Sequence, residues 1–378
     1  MKGSFMYELQ TQHPSTNAAA FLSKLTEHQL YAREFFNKEL LNSINQMSSP
    51  DNIAFYYFNT HGQFLSVLTQ DGLTLKADSP YASYAGLDVV RHTAHRDAVH
   101  DHLTYFNTTP RLYKSTDVIS GDHYDESSYT AYIEEHFGCH YSVTLAFGMF
   151  AYIQVVLYKT KEHGDFTQEE MNWLEQLYIY LASAYRTFKK YEQSNIIADI
   201  MSKVIDSGER AFFVCDDFSH MLSCNEMAEN CLDELLGPQA LDTMNPEDTC
   251  PWLPFLIDAH ENEPAGSIHE HTIKDFTFRV RVYDRTYSNG IVDRYYWVTI
   301  LRKGEQQSHE KSSPLSLFTR SEQHVASLLD QGLTYQEIAD ELVISFHTVK
   351  KHVQSIYKKC GVKNRAQFSC WLKKARKA

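Results

Sequence analysis

The sequence has little of what marks a secreted, membrane-borne or metal-stapled protein. Its 378 residues hold seven cysteines, Cys139, Cys215, Cys224, Cys231, Cys250, Cys360 and Cys370, an odd number with no C-x-x-C pair. That argues against a disulfide framework and against a structural zinc site. Small buried side chains in a reducing compartment are expected instead. No run approaches the ~20 apolar residues of a membrane span, and no apolar h-region follows the first lysine. A cytoplasmic protein without a membrane partner is therefore expected. Glycine and proline are sparse, 15 and 10 residues, which excludes a low-complexity chain. No G-x-S-x-G, P-loop or H-E-x-x-H occurs, so hydrolase and nucleotidase chemistry have no anchor and no enzyme is expected.

What is present is a charge asymmetry. The chain carries a net −13. Residues 314–378 hold 11 Lys and Arg against five Asp and Glu, a net of +6, which leaves −19 on the rest. An acidic body with a basic module is the footprint of a nucleic-acid-binding protein. At 378 residues, about two to three domains are expected.

The basic module follows a polar stretch, residues 304–313, that lacks apolar periodicity, ends at Pro314 and is expected to be a linker. Thr319-x-x-Glu322 is a capping box, followed by Val325, Leu328 and Leu329 at helical spacing until Gly332. Thr334-x-x-Glu337 opens a second, short helix with Ile338, Ala339 and Leu342 on one face. Ser345 caps a third that turns Val349, Val353, Ile356 and Tyr357 inward and ends near Cys360-Gly361. Asn364 caps a fourth with Phe368, Trp371 and Leu372 on its apolar side. Two short helices joined at Val343-Ile344 make a helix-turn-helix, whose second helix enters the major groove.

Thr319-x-x-Glu322, Gly332-Leu333-Thr334, Glu337-Ile338-Ala339, Leu342-x-Ile344-Ser345, Thr348-Val349-Lys350-x-His352 and Gly361-Val362-x-Asn364-Arg365 resemble the LuxR/NarL-type helix-turn-helix domain over about 60 residues. Phe346 stands where that family usually has proline. The resemblance implies that Lys350, Lys351 and Gln354 read base edges, Lys favouring guanine and Gln adenine. It implies phosphate contacts from Thr334, Ser345, Thr348, Lys358, Lys363 and Arg365, which set register rather than sequence choice. In that family the fourth helix often pairs two subunits, so residues 364–378 are a candidate dimer contact. The expected partners are double-stranded DNA and a second copy of the chain.

In the acidic body, Thr167-x-x-Glu170 opens a long helix running to about Ile205. Leu174, Leu177, Leu181, Ala184, Phe188 and Tyr191 follow at alternating 3/4 spacing, as in a heptad seam. Such a seam serves a dimer, its first five residues above all, or packs on its own domain's sheet. The spacing leaves both open. Upstream, strands are expected at 53–58, 63–68, 141–147 and 152–158, the last two a hairpin across Gly148. Together with the step Gly164-Asp-Phe-Thr-x-x-Glu170, this order resembles a GAF-type sensory domain. Downstream, 211–215 and 220–225 read as strand–turn–strand, with a helix at 226–236 and two more strands at 276–282 and 295–301 around Ser288-Asn289-Gly290. This resembles a PAS fold, with Asn225 capping its first helix. No cofactor is identifiable. The 24 Tyr and 22 Phe either line a pocket for an unknown small molecule or pack the core.

Two further clusters complete the reading. His92, His95, His100 and His102 crowd one window beside Asp88, Asp97 and Asp101. On a helix, Asp88, His92, His95 and His102 share a face, but the last step spans two turns, too far for one tetrahedral shell. A surface helix that responds to pH is expected over a metal site, and no metal is assigned. Asp216-Asp217 resembles the acidic pair of a phospho-receiver without the rest of its βα layout. The usual acyl-homoserine-lactone domain is shorter than this body, and its Trp/Tyr/Asp/Pro pattern is missing.

The expected fold is α+β: two α/β sensor-type domains, GAF-like and PAS-like, joined by a long helix, plus a C-terminal all-α four-helix helix-turn-helix domain. The expected boundaries are 1–25 (extension), 26–190 (GAF-like), 191–303 (PAS-like), 304–313 (linker) and 314–378 (DNA-binding). The expected function is a LuxR-type transcription regulator whose acidic sensor region controls the basic module through a small-molecule or protein signal. The alternative is a sensor that binds a partner regulator or metal, with DNA contact secondary.

Overall fold

The computed structural model describes residues 14–207, 211–242, 244, 248–258, 264–303, 318–342 and 345–375. The expected linker and the Val343-Ile344 turn lie outside the described residues. The chain divides into two compact units, residues 1–269 with 280–299 and residues 270–279 with 300–378.

The first unit begins with α1 (Pro14–Tyr31) and α2 (Lys38–Ser48), the latter capped by the Asn37 side chain on Leu40 N–H. β1 (Asn52–Phe58), β2 (Phe64–Leu68) and β3 (Leu73–Leu75) form an antiparallel meander. Then come α3 (Tyr81–Tyr84), α4 (Val89–His100), β4 (Leu112–Lys114), α5 (Ser115–Val118) and α6 (Ser128–Phe137). β5 (Tyr141–Phe147), β6 (Ile153–Lys159) and the 40-residue α7 (Gln168–Ser207) follow. The sheet order is β3-β2-β1-β6-β5-β4.

β1 reads Asn-Ile-Ala-Phe-Tyr-Tyr-Phe and shows no polar alternation because both faces are covered. Phe55 meets Phe36 at 5.8 Å, and Tyr57 Oη donates to Phe36 O at 2.6 Å, on the face shared with α7. Tyr56 packs on Tyr81 of α3 at 4.5 Å, and Phe58 lies under Arg91 of α4, on the other face. The expected hairpin across Gly148 is present, pairing Phe147 with Ile153. Gly148 has φ +76, and the Tyr152 ring lies 2.8 Å from where a Cβ would sit, so only glycine fits.

The five residues expected as a dimer seam are committed elsewhere. Leu174, Leu177, Leu181, Ala184 and Phe188 are at most 5% exposed and belong to the first sheet's own core. Their partners include Phe35, 5.7 Å from Phe188. Removing them from that core to form a seam would cost the burial of four large apolar side chains. The 3/4 spacing here records packing on a sheet. Tyr191, the next position of the pattern, is exposed.

The second sheet contains β7 (Ala211–Asp216), β8 (Met221–Cys224), β9 (Ile268–Ile273), β10 (Phe276–Thr286) and β11 (Val292–Arg302) in the order β8-β7-β11-β10-β9. Between β8 and β9 lie α8 (Glu226–Leu236), α9 (Pro238–Leu241) and α10 (Leu253–Ile257). Asn225 caps α8 as expected, accepting from Ala228 N–H at 3.0 Å and from Phe212 N–H at 3.1 Å.

Within the first unit, α7 is tied to β11 by a buried polar network. Lys189 and Asp293 form an ion pair, their side chains 2% and 5% exposed. Tyr105 Oη donates to Asp293 at 3.2 Å, and Tyr287 Oη lies 2.8 Å from the same carboxylate. Tyr287 also bonds Glu192, which Arg285 approaches at 3.0 Å.

The second unit carries α12 (Arg320–Asp330), α13 (Tyr335–Glu341), α14 (Phe346–Cys360) and α15 (Arg365–Ala375) around one apolar core. Among the described residues no helix is long and apolar enough to cross a membrane.

The histidine window does not converge on one point. Asp88 is the N-cap of α4, buried and bonded to Arg91 N–H and Tyr81 Oη. His95 Nδ1 meets Phe150 O at 3.0 Å, and burial pushes its pKa down. His92 meets Gly86 O, His100 pairs with Asp101 in the open, and His102 lies past the helix end with φ +51. No group of three potential metal ligands forms among the described residues.

Candidate nucleic-acid interface

The helix-turn-helix surface follows from the period of α14. Val349, Val353 and Ile356, at most 1% exposed, point into the module's core. Helical spacing then turns Lys350, Lys351, Gln354 and Lys358 outward, and all four are exposed. None of these four side chains, nor that of Lys363, is engaged in a hydrogen bond or ion pair among the described residues. They form a free cationic and amide face along one side of α14.

The start of α14 is fixed by Ser345, whose Oγ accepts from Thr348 N–H at 3.1 Å and meets Thr348 Oγ1 at 2.8 Å. Gly361 ends the helix at φ +67, the left-handed conformation that glycine adopts without penalty. Phe346 occupies the first helical position, 42% exposed, with its ring 6.1 Å from Tyr335. Proline is not required there, because Ser345 already supplies the cap. Thr334 and Glu337 form the second capping box: Glu337 Oε2 accepts from Thr334 N–H at 2.7 Å, and that bond holds the Glu337 pKa down.

The expected phosphate-contact residues fall into three groups. Thr334 and Ser345 are exposed and Thr348 is half-buried, with their hydroxyls at helix starts, where N–H groups and the helix dipole favour an anion. Lys358 and Lys363 are exposed and free. Arg365 differs: its guanidinium donates to Leu333 O at 2.7 Å and to Leu329 O, tying α15 to the carboxyl end of α12.

One positioning residue was not apparent as such from the sequence. Glu322 completes the Thr319 capping box and also accepts hydrogen bonds from Ser355 Oγ and Lys359 Nζ of α14. Lys359 foremost, then Ser355, holds its carboxyl down at about 2. Glu322 thereby sets the seat of α14 on α12. The T-x-x-E spacing reveals the local cap but not the bonds to residues 33 and 37 positions away.

Four short helices with a free cationic face on the third define a helix-turn-helix module. The family model described as "Bacterial regulatory proteins, luxR family" matches residues 316–372. The spore germination protein GerE of Bacillus subtilis is 47% identical over 51 residues, 14% of this chain and 69% of that protein. The chain belongs to the luxR family of bacterial regulatory proteins.

The DNA-binding transcriptional activator DevR/DosR of Mycobacterium tuberculosis is 39% identical over 70 residues, 18% of this chain and 32% of that protein. The chain thus spans about a third of that relative's length. The VqsR LBD domain of Pseudomonas aeruginosa covers 46% of this chain and 97% of its own, at TM-score 0.31 and 15% identity. That likeness is too slight to give the acidic body a fold family.

Proposed function

We propose that this chain is a DNA-binding transcription regulator that lays α14 in the major groove. Lys350, Lys351 and Gln354 read base edges, and Thr334, Ser345, Thr348, Lys358 and Lys363 hold the phosphates. Arg365 supports the module from behind, with any phosphate contact secondary to its carbonyl bonds. The observation that carries this reading is the outward, unengaged row Lys350, Lys351, Gln354 and Lys358 above a fully buried Val349, Val353 and Ile356. A solvated lysine face occurs on many helices. This one lies on the second helix of a helix-turn-helix, in a module of net +6.

The acidic body is a GAF-like domain over 26–190 followed by a PAS-like domain over 191–303. It controls the basic module in response to a small-molecule or protein signal. The protein acts in the cytoplasm as a homodimer, with residues 364–378 of α15 and beyond as the pairing surface, so that two modules read half-sites about one helical turn apart.

The test selects duplexes from a random-sequence pool with the full chain and titrates salt against the winners. Enrichment of a two-fold symmetric site, with log K falling by ~0.9 for each phosphate neutralised per unit log[salt], supports the reading. No enriched sequence, with a copurifying regulator or metal instead, overturns it.

A further inference from the structure

The first unit contains a cleft of about 810 Å3 where the turns of its two sheets face each other. That volume lies within the range of small-molecule sites. The lining holds four carboxylates, Asp216, Asp217, Asp284 and Asp293, against a single arginine, Arg294.

Three of the carboxylates are already satisfied. Asp216 accepts from His220 Nδ1 at 2.8 Å and from the N–H groups of Phe218 and His220. Asp284 holds Arg294 through two bonds of 2.8 Å, which also occupies the cleft's arginine. Asp293 is committed to Lys189 and two tyrosines. Asp217 is bound to the fold by its backbone N–H, which donates to Arg294 O at 3.2 Å. Beyond its own backbone N–H, its carboxyl meets no donor among the described residues, and it lines the cleft.

Beside it runs an aromatic wall. Phe218 follows Asp217 in the chain, and its ring lies edge to face with Phe150 at 5.9 Å and with Tyr105 at 6.0 Å. The two turns that carry this wall are held in costly backbone. Phe150 and Ser219 have φ +53 and +67, left-handed values that a non-glycine residue adopts at a cost of about 1–3 kcal/mol. Strain of this kind concentrates at ligand clamps.

We propose that this cleft is the signal site, and that it takes a small organic monocation, an amine with an aromatic or apolar body, whose charge pairs with Asp217 and whose body lies on Phe150 and Phe218. A carboxylate beside π faces is the chemistry that recognises an ammonium group. An anionic ligand would meet four carboxylates and no uncommitted arginine. The inference rests on the reading of the body as a sensor.

The test is thermal unfolding of the full chain at pH 7.5 with benzylamine, phenethylamine and tyramine, against benzyl alcohol and phenylacetate as neutral and anionic controls. At least one amine raises Tm, by about 5 °C at a hundredfold excess over its Kd. Asp217→Asn weakens that amine at least tenfold, and the controls bind at least tenfold more weakly than the amine. Phe218→Leu, which also weakens the amine, carries the test if the first variant does not fold. The proposal is overturned if no amine binds, if a control binds as tightly as the amines, or if the folded variant binds them unchanged. No DNA enters this measurement, so its failure leaves the duplex selection standing, and the reverse.

Discussion

Lys189 of α7 and Asp293 of β11 form an ion pair that water barely reaches, 104 residues apart in the chain. Removing one partner strands a charge in the interior. Lys189→Met is expected to destabilise the first unit by about 3–5 kcal/mol, read from urea unfolding. Adding Asp293→Asn recovers part of that loss, because the stranded charge goes with it. A single variant as stable as the wild type would show that the pair is not closed in solution.

Glu322 gives the helix-turn-helix module an acid limit. Its folded pKa of about 2 lies below the ordinary glutamate value of about 4.3. The stabilisation is fully present above about pH 4.3 and is lost as pH falls toward 2. Glu322→Gln should therefore cost about 1–2 kcal/mol at pH 7 and almost nothing at pH 2, by circular dichroism melts. A cost that does not change with pH would assign Glu322 to packing alone.

Asp217 has the opposite sign. Desolvation within the cleft first, then the adjacent Asp216 and Asp293 of β11, push its carboxyl well above the ordinary range, against smaller pulls from its own backbone N–H and then Arg294. Tyr105, Tyr295, Tyr296 and Cys215 also face it. The folded chain therefore holds this proton more tightly than the unfolded chain. The corresponding stability is present below about pH 3.9 and declines as pH rises toward the folded value. Asp217→Asn should melt higher than wild type at pH 7.5, with the gap closing toward pH 4. A gap that is constant across that range would remove the titration from the account.

On the DNA face, alanine at Lys350, Lys351 or Gln354 should cost about 1–3 kcal/mol at the selected site and relax one base position each. Alanine at Lys358 or Lys363 should weaken all duplexes about equally and reduce the salt slope by about one. Equal loss of specificity from both sets would mean that α14 is not the reading helix.

Arg365→Ala separates support from contact. Loss of its bonds to Leu333 O and Leu329 O should lower the melting temperature of the module, while the salt slope of DNA binding stays the same. A lower slope with unchanged melting would return Arg365 to the phosphate row.

The contrast between the two ends of the chain shows what can be read from sequence. The helix-turn-helix module was readable because its signals are local: Thr319 with Glu322, Thr334 with Glu337, Ser345 with Thr348, and Gly361 after Cys360. Each pair closes within one helical turn. The seam of α7 was ambiguous because Leu174, Leu177 and Leu181 recur at the same spacing whether the helix faces a second copy or its own sheet. Phe35, which decides the matter at Phe188, comes more than 150 residues earlier. The two aspartates of the Asp216-Asp217 pair have different surroundings in the fold. A tight turn directs Asp216 to His220 and leaves Asp217 facing the cleft, and nothing in two adjacent aspartates indicates that division. Arg365 fits a family pattern for phosphate binding, yet its partners are carbonyls 32 and 36 residues earlier, which no motif encodes.

Because α7 contributes Phe188 to the first sheet's core and the neighbouring Lys189 to β11, one helical turn anchors both sheet-bearing regions at once. Heating cannot free one region while the other stays intact without exposing that ion pair. The first unit should therefore disassemble as a single cooperative block, and a protease should find no early cut at the boundary expected near residue 190.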